Sequence, residues 1–296
     1  MTTFFAKVLA DSISPEDCQI TTLQLRYPRF IHAEFMTHRA FSRNASSSRA
    51  IPVQRLIKDA LDDPAVPIFW GRNQPGMQAG EEHAELVLLG AWQTREMAWL
   101  EARDAAIQHA LAFAHAGYHK QIVNRLLEPF THINVVVTAT EWDNFFALRR
   151  HPDAEPHMRL LAHRIWEARE ASTPKRLRVG QWHLPYAMPG DDEPGMYDPD
   201  IYDYGLQTLI PKEMIARSVA RCARVSYLTH EGRETTIEED VDLFDRLLKA
   251  EPLHASPAEH QATPATIRTL PGDTRNFRGW VPFRAILEGS NASFYA

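Results

Sequence analysis

The densest run of chemically able side chains lies between Thr37 and Arg49, which reads T-H-R-A-F-S-R-N-A-S-S-S-R. Guanidinium forks and hydroxyls on one segment hold phosphate oxygens through charge-assisted hydrogen bonds. The stretch is too polar for a core element, so it reads as a loop, either one with a phosphate-binding task or a plain solvated one. A second candidate is the segment Asn144 to Arg149, N-F-F-A-L-R, with A-E-P-H-M-R beginning at Ala154. Taken alone, Arg149 has a bland reading as a solvated cation at a helix end. Two further blocks stand near the C-terminus: A-R-C-A-R-V-S-Y from Ala220 to Tyr227 and H-A-S-P-A-E-H from His254 to His260. By itself His260 reads as a surface histidine after a proline turn.

Other chemistries are disfavoured. His115 and His119 stand at i, i+4, a spacing that can face one metal, but no HExxH pattern surrounds them. A role on a helix surface or in the core is expected for both, and no metal site is expected. No G-x-S-x-G nucleophile elbow occurs. The two cysteines, Cys18 and Cys222, have no neighbours at ligand spacing, so neither a disulfide framework nor a Cys-rich zinc site is expected, and a reducing compartment is the default.

These blocks must be positioned by regular elements. Residues 19–31 read as extended, with Thr21, Leu23, Leu25 and Tyr27 alternating and Pro28 breaking the pattern. Residues 52–61 predict a short helix opened by Pro52, and residues 62–80 a long loop. Residues 81–118 carry the strongest helical signal, with Leu86, Leu89, Met97, Leu100, Ile107 and Leu111 on one stripe. A further helical start falls in 119–127. Residues 132–138 favour a strand by β-branched content, and helices are expected over 141–150, 153–170, 211–224 and 238–249. Residues 171–210, rich in Pro, Gly, Asp and Tyr, read as a connecting or lid segment. The Arg- and aromatic-rich run from Asn276 to Arg284 reads as a satellite core in preference to a ring-stacking site.

The 296 residues suffice for one large domain or two modest ones, and the chain is read as a single catalytic domain over 1–296. The apolar fraction of 44% and charged fraction of 24% are ordinary for a soluble globular protein. A formal net charge of −6 argues against direct DNA binding. The N-terminus lacks a basic region followed by a long apolar run, and no window approaches a membrane span of ~20 apolar residues. A cytoplasmic location is expected, in a bacterial or virus-infected host cytosol.

The 37–49 segment resembles the signature of flavin-dependent thymidylate synthases, R-H-R-x-x-S-x-N-x-x-S-x-R, with matches at His38, Arg39, Ser42, Asn44, Ser47 and Arg49. Residues 21–39 resemble the family's strand, proline and second strand leading into that signature. The N-F-F-A-L-R run is similar to the family's N-F-L-x-L-R, and residues 117–129 to its G-x-x-x-E-x-A-R-x-x-L-P, with Arg125 one residue out of register. The blocks at 220–227 and 254–260 resemble A-A-R-V-S-Y and G-H-x-S-P-F-E-H. In the family both precede the signature; here both follow it, which implies a circular permutation, plausible where termini lie close together.

The resemblance implies an α+β fold, a mostly antiparallel sheet flanked by helices, assembled as a homotetramer with shared active sites. It implies FAD, NADPH and methylenetetrahydrofolate as cofactors and a pyrimidine deoxynucleotide monophosphate as substrate. His38, Arg39, Ser42, Asn44, Asn144, Ser226 and His260 would hold flavin. Glu34, Ser47, Ser48, Arg49, Arg125 and Arg149 would hold substrate, with Arg49 and Arg149 also acting in catalysis. No protein nucleophile is implied; the cofactor carries the chemistry and the protein orients it.

The chain departs from the pattern at Thr37 (Arg in the family), Ala45 (Glu), Glu34 (often Gln), and Thr138 and Thr140 (Asn and Arg). A carboxylate at Glu34 beside a phosphate needs a neutralising cation. The nucleotide side is therefore the more altered half. Thymidylate synthesis from dUMP is the leading expectation. A dUMP or dCMP hydroxymethylase and a non-catalytic flavin- or nucleotide-binding protein are the alternatives.

Overall fold

The structure, a computed structural model, describes residues 4–186, 212–226, 233–248, 250–251, 253–270 and 272–288. Its strands are β1 (Phe5–Ile13), β2 (Gln19–Pro28), β3 (Ser42–Ala45), β4 (Val87–Leu89), β5 (Ala91–Gln93), β6 (His132–Ala139), β7 (Lys175–Arg176), β8 (Ala262–Pro264) and β9 (Trp280–Pro282). Its helices are α1 (His32–Phe35), α2 (Val53–Asp62), α3 (Arg95–His115), α4 (Lys120–Val123), α5 (Asp143–Arg149), α6 (Pro156–Glu170), α7 (Lys212–Arg224), α8 (Ile237–Leu248) and α9 (Phe283–Glu288).

Five strands form the central sheet in the order β3-β6-β2-β1-β7. Every pairing in it is antiparallel except the short β1–β7 contact. The expected α+β class with a mostly antiparallel, helix-flanked sheet is what the chain adopts. Alternation on β2 sends Leu23, Leu25 and Tyr27 to one face, opposite Val137, Val135 and Ile133 of β6 in register. Phe35 of α1, Trp142 just before α5, Phe145 of α5, and Met158, Leu161 and Ile165 of α6 close over that face. Each such side chain contributes about 1.5–3 kcal/mol by leaving water. The opposite face carries Leu9 and Val136 against Tyr186, Cys222 and Val225. Burial on both faces is why β2 has few solvent-facing positions.

Local rules set several boundaries. The Thr94 side chain accepts from the Met97 amide and starts α3; Glu155 caps Met158, and Pro156 takes the first position of α6. The expectation of one helix over 81–118 is corrected. Gly90, at φ +73°, turns the chain into the β4–β5 hairpin, and the helix begins only at Arg95. Of the expected stripe only Ile107 is buried, while Leu86, Leu89, Met97 and Leu111 face outward. The second strand expected after Pro28 is instead a 3-10 turn followed by α1. The polar 38–49 segment is not wholly loop, because Ser42–Ala45 pairs with Val135–Thr138 as the edge strand. An edge strand needs only one ladder, so a polar sequence suffices there. Trp280, Phe277 and Phe283 are buried, the first two against Ile20 and Leu177. Within 171–210, residues 187–210 lie outside those described, as does Tyr227 of the 220–227 block.

Candidate functional site

Strand β3 sorts the signature segment by alternation. Ser42 and Asn44 point to the face shared with Thr138 and Val136, their partners in register. Arg43 points to the other face, where its Nη1 donates to the Phe35 carbonyl at 2.8 Å and its guanidinium lies 5.8 Å from the Phe35 ring. Beyond the strand, Ser47 and Arg49 are exposed, as is Arg39 before it. Ser48 is buried: its hydroxyl donates to Glu128 at 2.6 Å and its carbonyl accepts from Asn124 at 2.7 Å. Arg125 also pairs with Glu128, at 3.0 Å. Its neighbour Asn124 is the residue turned inward, binding the carbonyls of Ser48 and Ile51. This pins the end of the signature segment.

The last turn of α5 brings Arg149 to the loop. Its Nε donates to His38 Nε2 at 2.9 Å, and its Nη2 donates to Thr37 Oγ1 at 3.3 Å. His38 rests edge-on against Phe145 at 4.9 Å and stacks on Phe41 at 5.8 Å. Burial, with Arg149 and Arg43 beside it, lowers the His38 pKa to about 4. The imidazole is therefore neutral near pH 7, with Nε2 an acceptor and the proton on Nδ1. Glu34, half-buried on α1, has its pKa raised by burial and by Glu155, an effect opposed by Arg149. Thr37, His38, Glu34 and Arg149 thus form one cluster. Asn144 is exposed one turn earlier on α5.

The two C-terminal blocks pack on the Thr138 face. The Val225 carbonyl accepts from Gln24 at 3.3 Å, and the Cys222 carbonyl accepts from Asn44 at 3.4 Å. Ser226 is half-buried beside them, its amide donating to Arg221. Arg221 and Arg224 on α7 bind the fully buried Asp240 of α8, with Arg217 at 3.8 Å from it. His260 is fully buried and shares a 2.8 Å hydrogen bond with Thr138. Thr138 in turn meets Thr22 at 2.7 Å, Thr22 meets His183 at 2.7 Å, and His183 meets Ser12 at 2.9 Å. Burial lowers the pKa of both His183 and His260 to about 3, so both are neutral links. His254 and Ser256, at the other end of the His260 block, are the solvent-facing members.

The sequence does not single out several residues of this arrangement: Arg43, Asn124, Thr22 and His183, with Arg29, which donates to the Ser46 carbonyl at 3.1 Å, and His32, which shares a 2.8 Å hydrogen bond with the Tyr27 hydroxyl. Period-2 alternation through Ser42, Arg43 and Asn44 was the available signal for Arg43, and reading the segment as loop hid it. His115 and His119 belong to separate helices, with His119 capping α4. Among the described residues no three His, Cys, Asp or Glu side chains group to hold a metal ion, and no helix is long and apolar enough to cross a membrane.

The sequence profile of the thymidylate synthase complementing protein family matches residues 12–175, more than half of the chain. No curated protein matches. Among solved structures, the chain is similar to the UMP/dUMP methylase PolB from Streptomyces cacaoi bound with 5-Br UMP. The identity is 14%, over 57% of this chain and 89% of that one, with a TM-score of 0.44. It is also similar to the flavin dependent thymidylate synthase ThyX from Helicobacter pylori complexed with FAD and dUMP. There the identity is 17%, over 51% of this chain and 67% of that one, with a TM-score of 0.34.

Proposed function

The chain belongs to the thymidylate synthase complementing protein family, and from that premise we propose that it transfers a one-carbon unit from methylenetetrahydrofolate to C5 of a pyrimidine deoxynucleotide, converting dUMP to dTMP. The observation that carries this reading is the joining of Arg149 to His38: the cation at the end of α5 and the signature segment form one cluster, with Glu34 beside it. Arg149 polarises the pyrimidine, and Arg49 with Ser47 binds the nucleotide from the exposed limb of the loop.

The donor set suits FAD. Arg39, Ser47, Arg49 and Asn144 are exposed hydrogen-bonding side chains on and beside the loop, the chemistry a pyrophosphate and a flavin ring edge require. Bound FAD would supply the redox chemistry of the transfer, with NADPH as the expected reductant, while these side chains hold and orient it. His260 serves the site from beneath, since its ring has no solvent-facing surface. Packing of residues 220–226 and 254–260 against β2 and β3 supports a circular permutation, because blocks that follow the signature in sequence sit beside it in space.

The same reading includes a homotetramer with shared sites, in the cytoplasm. Support comes from α3, which leaves Met97, Leu111 and Phe113 exposed beside the exposed Leu88 and Trp92 of the β4–β5 hairpin, apolar surface that a partner copy would cover.

Mass spectrometry of the product from dUMP or dCMP, with FAD, NADPH and methylenetetrahydrofolate, tests the reaction. A dUMP product heavier by one methylene supports it. A product heavier by CH2O makes the protein a hydroxymethylase instead. Bound flavin without product from either nucleotide rejects both.

A further inference from the structure

A line of polar side chains crosses a buried face of the sheet, from β1 toward the signature strand. Ser12 of β1 shares a 2.9 Å hydrogen bond with His183 Nδ1, and His183 Nε2 shares one of 2.7 Å with Thr22 of β2. Thr22 meets Thr138 of β6 at 2.7 Å, and Thr138 meets His260 Nδ1 at 2.8 Å. Two strand spacings, about 10 Å, separate β1 from β6. All five side chains are buried. Thr138 stands in register with Ser42 of the signature segment. The backbone holds the two imidazoles close, since His183 exchanges both main-chain hydrogen bonds with Ala262, at 2.8 and 3.2 Å, two residues after His260. His260 Nε2 is buried and has no partner among the described residues.

Each hydroxyl has one proton to give, and each neutral imidazole has one N–H and one bare nitrogen. Burial pushes the pKa of both rings down to about 3, so both are neutral near pH 7. Neither threonine hydroxyl has a further partner among the described residues. Proton counting therefore leaves two filled arrangements. If both histidines carry the proton on Nε2, Ser12 gives to His183, His183 to Thr22, Thr22 to Thr138, and Thr138 to His260. If both carry it on Nδ1, every bond reverses. The mixed states fail. With the protons on His183 Nδ1 and His260 Nε2, each threonine gives to its own histidine and the Thr22–Thr138 contact holds no proton. With the protons on His183 Nε2 and His260 Nδ1, both rings give to the threonines and one hydroxyl proton is stranded. A buried group left unsatisfied is costly, so the mixed states are disfavoured.

We propose that His183 and His260 share one tautomer, and that His183, Thr22 and Thr138 are positioning residues that set whether His260 Nε2 gives or takes a hydrogen bond at the flavin. The flavin in this statement rests on the cofactor reading above; the shared tautomer rests on the hydrogen-bond geometry alone. Phosphate and carbonyl oxygens of a flavin are acceptors, so a flavin against His260 selects the Nε2–H form. The line carries that choice across the sheet to His183 and Ser12 without any residue changing charge.

The test is nitrogen NMR of the full chain with labelled histidine rings at neutral pH, without and with FAD. Without FAD both rings are expected in the same tautomer. One ring protonated on Nε2 and the other on Nδ1 overturns the proposal. With FAD both are expected to carry the proton on Nε2, the His183 signals shifting together with those of His260. A His260 that responds while His183 does not also overturns it. Thr22→Val removes the central hydroxyl and is expected to uncouple the pair, with His260 protonated on Nε2 opposite the Thr138 hydroxyl and His183 on Nδ1 toward Ser12. Thr22→Ser is expected to keep the shared tautomer. A pair that stays matched in folded Thr22→Val overturns the role of Thr22; if that variant does not fold, the wild-type tautomers decide. Bound FAD that leaves His260 unmoved overturns its role at the flavin. A chain that binds no FAD overturns the cofactor reading, and the tautomers of the free protein still decide the coupling.

Discussion

Arg149 donates through Nε to His38 Nε2 at 2.9 Å, although 111 residues separate them in the chain. The contact fixes the imidazole as a neutral acceptor and removes one direction of freedom from the guanidinium. Replacing Arg149 with Ala should raise the His38 pKa from about 4 toward its ordinary value of about 6.5, because a neighbouring positive charge is lost. It should also lower turnover by about 100-fold or more, the usual cost of one aimed donor. Ring-carbon NMR titration and single-turnover rates measure the two effects, and an unchanged rate would remove Arg149 from the chemistry.

Acid should destabilise the fold through its buried histidines. His32, His38 and His132 have pKa values lowered to about 4, and His183 and His260 to about 3. In the unfolded chain each binds its proton near 6.5. Below that pH the unfolded state therefore holds more protons than the folded one, and the unfolding free energy falls. Loss should begin near pH 6.5 and continue to about 3, as followed by urea unfolding at a series of pH values. A flat profile between pH 7 and 5 would contradict the burial of these rings.

The line Ser12–His183–Thr22–Thr138–His260 predicts a sharp contrast between two substitutions. Thr138→Ala strands His260 Nδ1 in the interior, at a cost of about 1–3 kcal/mol for the unsatisfied group, and leaves the Thr22 hydroxyl only its His183 partner. Thr138→Ser keeps both hydrogen bonds and should cost much less. Denaturant midpoints separate them, and equal losses would show that the methyl group, not the hydroxyl, matters.

Asp240 is fully buried against Arg221 and Arg224. Asp240→Asn leaves cations desolvated without their counter-charge, and a loss of about 3–5 kcal/mol is expected. Because α7 and the residue that follows it supply Cys222 and Val225 to the sheet, the loss should appear in global unfolding measured by circular dichroism. A near-neutral effect would mean that the arginines reach water.

The β4–β5 hairpin exposes Leu88 at 60% and Trp92 at 66%, beside the outward face of α3. Replacing both with Glu should dissociate a wild-type tetramer into smaller species without unfolding it, as read by sedimentation velocity. A wild-type protein that sediments as a monomer would reject the shared-site reading.

The sequence by itself determined the elements whose signal is local. Alternation in Leu23, Leu25 and Tyr27 and the β-branched run in β6 mark strands; Pro52 and Pro156 mark helix starts; His38 through Arg49 mark the family. These signals follow from one chain segment's own periodicity, caps and side-chain chemistry. Tertiary structure alone decided the rest. Residues 81–94 have helical periodicity but turn at Gly90, since a positive-φ glycine next to a capping Thr94 outweighs a stripe with nothing beneath it to cover. Ser42–Ala45 is a strand only because β6 offers it a partner. His260 reads as a surface residue until Thr138, 122 positions away, supplies its hydrogen bond. Arg43 gains its place beside His32 and His38 from the facing of an edge strand. Pairing, burial and charge compensation between distant segments are properties of the assembled chain, and no local window contains both partners.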